Sequence, residues 1–124
     1  PGAGTTARNN GRLLKALADA DALVVSGTDS PFVPSGAGLH AELRLYARAG
    51  LTPAQILKTA TVNAAIATGV DHDIGTLTPG MIADLVVVEG DPLADIADAD
   101  NVVMTIKNGR AYRLPQLLSA PAAE

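Results

Sequence analysis

ALVVSGTDSP, residues 22–31, decides how this chain reads. Its first part is a continuous, valine-rich apolar run too short for a helix, the pattern of a strand buried on both faces. Its second part, Gly27-Thr28-Asp29-Ser30-Pro31, stops that strand and leaves a carboxylate at its end. Strands finish in this way where βα loops build active sites, at the carboxyl edge of α/β barrels and open sheets. An Asx-turn of Asp29 with Ser30 and Pro31 uses the same residues without any chemistry. Position alone leaves the two readings balanced.

Around this segment the order is α/β. Upstream, Asn10 is placed to cap a helix running to about Ala20, with Leu13, Leu14, Leu17 and Ala18 on one face. Downstream, Pro31, Pro34, Gly36 and Gly38 make a loop, and LHAELRLYARAG, residues 39–50, reads as a helix closed by Gly50 at C′. LTPAQILKTA, residues 51–60, combines Thr52 as N-cap, Pro53 at the first helical position and Gln55 completing a capping box, with Leu51 and Ile56 as a hydrophobic staple. Asn63 is expected to cap a further short helix that Gly69 ends.

From Val70 the texture changes to turns and short strands. Thr78-Pro79-Gly80 is a type II turn pattern, and a strand is expected over 84–89, then a turn at Gly90-Asp91-Pro92. NVVMTIK meets RAYRL across Asn108-Gly109, a two-residue hairpin signal. This antiparallel unit has too few strands to stand alone and needs other strands or the preceding helices. The boundaries read as 1–69 and 70–124.

The 124 residues, 48% of them apolar, suit one modest domain or a piece of a larger one, and Pro1 in place of Met hints at the latter. A net charge of −4 without a basic cluster argues against nucleic acid as a partner. No apolar run approaches the roughly 20 residues that cross a bilayer, so no membrane partner is expected. The absence of cysteine removes disulfides and thiolate chemistry but leaves the compartment open, with the cytoplasm as the default. PGAG and SGAG lack the Lys-Ser/Thr of a P-loop, and no serine sits in a G-x-S-x-G elbow.

Taken in order, GTDSP, LHAELRLYARAGLTPAQILKTATVNAAIATGV, IGTLTPGMIADLVVVEGDPL and VVMTIKNGRAYR resemble the C-terminal part of the metal-dependent amidohydrolase superfamily, most closely its imidazolonepropionase-like and prolidase-like members. The resemblance covers residues 10–113. It implies the last helix and strand of a TIM-type (β/α)8 barrel, the helices that close it, and part of a small flanking β-sandwich. It also implies that Asp29 ligates a divalent metal, zinc by expectation, and shuttles a proton between water and a leaving nitrogen of a small amide or peptide-like substrate.

The same resemblance exposes a gap, because the superfamily's H-x-H pair, its carboxylated lysine or glutamate, and its two middle histidines have no counterpart here. One carboxylate cannot hold a catalytic zinc, since an open site needs about three protein ligands. The chain alone is therefore expected to be inactive and to be completed by a missing N-terminal part or a homo-oligomer. The alternative is a non-catalytic fragment or standalone domain with a structural or binding role. His40, at the start of the helix after the loop, either orients substrate or merely caps and packs. Ser30 and Thr28 either touch substrate or bond to the turn backbone. His72, between Asp71 and Asp73, lies in a connection, where a metal role is not expected, and Glu42 and Arg44 face solvent by default.

Overall fold

The computed structural model describes residues 3–29, 32 and 35–119. Helix α1 spans Ala3–Asp19, α2 Ser35–Arg48, α3 Pro53–Ala60 and α4 Val62–Thr68. Strand β1 (Leu85–Val88) is followed by a 3₁₀ helix (Ile96–Asp100), β2 (Val102–Lys107), β3 (Arg110–Arg113) and a short α5 (Leu114–Ser119) that the sequence pattern does not announce.

The helix ends follow their local chemistry. At the close of α2, Gly50 N–H donates to the Ala47 carbonyl at 2.9 Å and Leu51 N–H to the Tyr46 carbonyl at 3.2 Å. This is a Schellman pair, and Gly50 adopts the φ of +97° it requires. The chain then enters α3 through the expected capping box: Gln55 N–H donates to Thr52 Oγ1 at 3.3 Å, and Thr52 N–H to Gln55 Oε1 at 2.9 Å. Leu51 and Ile56, the staple pair, are both buried. Two expected caps are corrected. Asn10 lies inside α1, which begins about two turns earlier, at Ala3. Asn63 sits in the first turn of α4, whose N-cap is Thr61, because its side chain is engaged elsewhere.

The three strands form one antiparallel sheet in the order β1-β2-β3. Leu85 pairs with Ile106 and Val87 with Met104, and a bulge follows between Val87 and Val88. Lys107 pairs with Arg110 across Asn108 and Gly109, whose φ values of +50° and +77° are those of a primed hairpin turn. The Thr78 turn also forms, with Met81 N–H donating to the Thr78 carbonyl at 3.2 Å. Asp84 fastens the far end of the hairpin: its carboxylate accepts Asn108 N–H at 2.6 Å and pairs with Lys107.

The core is helical. Leu43, Leu51 and Ile56 pack with Ile96, and Leu14, Leu39, Tyr46 and Leu57 surround them. Ile96 comes from the 3₁₀ helix between β1 and β2, so the link between strands plugs into the helical cluster, whereas no strand residue is fully buried.

The expected strand over 22–27 is the main departure. Burial alternates residue by residue, as in an extended chain, but the segment joins no ladder among the described strands. It is not buried on both faces either, since Leu23 is 53% and Val25 37% exposed. A parallel strand is defined by strands on either side, and the described strands all belong to the antiparallel sheet.

Ile96→Ala is expected to lower stability by about 2–5 kcal/mol, read as a reduced urea midpoint, because the neighbouring helices cannot collapse fully into the space. The Lys107 ammonium, followed by the Asn108 N–H, holds the Asp84 carboxyl below its ordinary value of 3.8. A depressed carboxyl stabilises the fold above 3.8, and this contribution disappears as pH falls below 3.8 through the folded-state value. Acid titration of the Asn108 amide shift should therefore show a midpoint below 3.8, and Asp84→Asn should abolish the transition.

Candidate functional site

Asp29 lies at the end of the extended segment with an exposed side chain and a φ of +53°. Aspartate tolerates this left-handed conformation better than most residues. Its carbonyl accepts Phe32 N–H at 3.0 Å, closing a turn over the loop. Its carboxylate makes no hydrogen bond or ion pair with another described residue. Ser30 lies outside the described residues, and so does the partner set of the expected Asx-turn.

Three helices hold the segment leading to Asp29. Asn63 Nδ2, at the start of α4, donates to the Val24 carbonyl at 2.8 Å. Ser26 donates to the Thr59 carbonyl on α3 through its N–H at 3.1 Å and its hydroxyl at 3.3 Å. Gly27 N–H faces both carboxylate oxygens of Glu42 on α2, at 3.1 and 3.0 Å. These bonds stand where a neighbouring strand would otherwise supply partners. A fourth tie reaches the preceding helix: Gln55 Nε2 donates to the Ala18 carbonyl and to Asp19 Oδ1, both at 3.2 Å.

Glu42 is thus not a solvent-facing residue, contrary to its default reading, and it also accepts the Tyr46 hydroxyl. Burial, then the Glu42 carboxylate, raises the Tyr46 phenol well above its ordinary value of 10, so it remains a donor. The L-H-x-E-L spacing separates Glu42 from His40 but does not name the partner of either. Residues two apart on a helix diverge by about 200°, so His40 and Glu42 must address different neighbours.

His40 addresses the 3₁₀ helix. Its Nδ1 stands 2.9 Å from Asp100 Oδ1, yet this enclosed nitrogen has no hydrogen bond of good geometry. The distance is short, but the direction does not suit a hydrogen bond. Arg44, one turn further along α2, pairs with the other oxygen of Asp100, so it is also not a free surface charge. His72 lies 3.2 Å from Asp73 Oδ2 on the surface. Among the described residues no three His, Cys, Asp or Glu side chains gather as a metal set.

The sequence profile of the amidohydrolase family matches residues 7–112. The chain is similar to an imidazolonepropionase of Rubrobacter xylanophilus, with 33% identity over 100 residues, 77% of this chain and 24% of that protein. It is also similar to an imidazolonepropionase of Deinococcus deserti, with 41% identity over 86 residues, 65% of this chain and 21% of that protein. Among solved structures it is similar to a Xaa-Pro dipeptidase with methionine bound in the active site, at a TM-score of 0.74 and 26% identity over 86% of this chain and 25% of the other. An amidohydrolase from Thermotoga maritima gives a TM-score of 0.65 and 27% identity over 83% of this chain and 26% of the other. The chain spans about a quarter of the length of these relatives.

Asn63→Asp replaces a donor by an oxygen facing the Val24 carbonyl and is expected to cost about 1–3 kcal/mol. The loss should appear as faster amide exchange across residues 22–27 before the helices open.

Proposed function

The chain belongs to the amidohydrolase family, and from that premise we propose that it forms the C-terminal part of a metal-dependent hydrolase cleaving a C–N bond. The observation that carries this reading is Asp29, an exposed carboxylate without a described partner, at the end of a segment tied by three separate helices. In this reading residues 22–27 are the last strand of a (β/α)8 barrel, and the exposed Leu23 and Val25 are the residues that would face the barrel interior. Residues 1–69 then belong to the barrel and 70–124 to a flanking β-sandwich.

Asp29 alone does not make a catalytic metal site, because about three protein ligands are needed and no further ligand set gathers among the described residues. We therefore assign Asp29 as one ligand of a centre whose other ligands lie outside these 124 residues. A divalent ion held there, zinc in our reading, would act as a Lewis acid toward the carbonyl and lower the pKa of water. The role of Asp29 is the proton: its carboxylate takes one from the attacking water and returns it to the leaving nitrogen. The substrate class is a small cyclic amide or dipeptide-like molecule, by analogy with the imidazolonepropionases and the Xaa-Pro dipeptidase. Ser30, and secondarily His40, whose Nδ1 is turned to Asp100, are the proposed substrate contacts.

In the complete polypeptide carrying these residues, Asp29→Asn is expected to lower turnover by at least about 100-fold, with the circular dichroism spectrum and thermal midpoint unchanged. Near-normal turnover in that variant would overturn the assignment.

A further inference from the structure

We propose that Glu42 is the positioning residue for Asp29, setting the place of its carboxylate through the Gly27 amide; this rests on the role given to Asp29 above. The geometry is one-sided in a telling way. Gly27 N–H meets both oxygens of Glu42, at 3.1 and 3.0 Å, while the Tyr46 hydroxyl, one turn along the same helix, donates to Oε1. The carboxylate is therefore held from its own helix and clamps a backbone donor of another segment. Charge assistance makes this stronger than an amide–carbonyl ladder bond.

Gly27 is two residues from Asp29, a distance of about 7 Å in extended chain, so a shift at that amide carries to the carboxylate. Beyond Gly27 the described contact of Asp29 is the turn bond to Phe32, which lies within the loop itself and fixes nothing relative to the helices. Among the described residues Glu42 is thus the last tie between the helical scaffold and Asp29. It acts through the backbone and needs no contact with substrate.

The test uses the complete polypeptide. Glu42→Ala is expected to lower kcat on the order of 100-fold with KM little changed, the cost of a small misplacement of a reacting group. Hydrogen exchange in the peptide covering residues 22–32 should quicken about tenfold in the same variant. Glu42→Gln keeps an acceptor oxygen for Gly27 and should restore most of both readouts. Arg44→Ala, which removes an ion pair from the same helix without touching the segment, should leave kcat unchanged. An unchanged kcat in folded Glu42→Ala, while Asp29→Asn is inactive, overturns the positioning role and spares the role of Asp29. An equal loss in Arg44→Ala also overturns it, since the effect would then be general loosening of α2. Activity surviving in Asp29→Asn overturns both. Should Glu42→Ala fail to fold, Tyr46→Phe, which frees one side of the clamp, is expected to lower kcat about tenfold, and an unchanged value overturns the proposal.

Discussion

Residues 22–27 form an extended segment that no described strand accompanies, and each of its inward-facing backbone groups still has to be satisfied. The helices meet that demand: Asn63 for the Val24 carbonyl, the Thr59 carbonyl for Ser26, and Glu42 for the Gly27 amide. Much else in the helical half follows. Helices α2, α3 and α4 must each present one polar group to a single line, and the apolar contacts of Leu43, Leu51 and Ile56 sit behind them and fix their spacing.

The sequence motifs acquire physical content in this light. In TPAQILKTATVN, the Thr52 and Gln55 pair caps α3, and the Gln55 amide also ties the end of α1. Thr59 is buried with its hydroxyl bonded to the Ile56 carbonyl while its own carbonyl serves Ser26, and Asn63 serves Val24. In LHAEL, Leu39 and Leu43 enter the core while His40 and Glu42 reach outward to two different neighbours. Gln55, Thr59, Asn63 and Glu42 are thus occupied with holding backbone, while the Asp29 carboxylate has no partner among the described residues.

Local signals were the legible ones. Gly50, the Thr52 box, the Thr78 turn and the Asn108-Gly109 hairpin each act over a few residues, and all form where the sequence places them. What was illegible depends on distant partners. Asn10 and Asn63 have the composition of caps, but α1 extends past the first and the Val24 carbonyl claims the second. Glu42 and Arg44 have the composition of surface residues, and only the arrival of Gly27 and Asp100 gives them work. Asp29 stood out as a candidate from order and family likeness, whereas the polar ties that hold the segment before it did not.

Apart from the Ala22 N–H bond back to the Leu17 carbonyl, the ties on the extended segment run to residues later in the chain, with sequence separations of 15, 33 and 39 for Glu42, Thr59 and Asn63. Synthesis proceeds from the amino end, so the segment leaves the ribosome before these three anchors. Its valines and its carboxylate remain unplaced until α4 has emerged, and closing those loops costs entropy before the bonds return it. The placement of Asp29 is accordingly a late event in the life of the nascent polypeptide, complete only once the first turn of α4, with Asn63, has joined the ties made by Glu42 and Thr59.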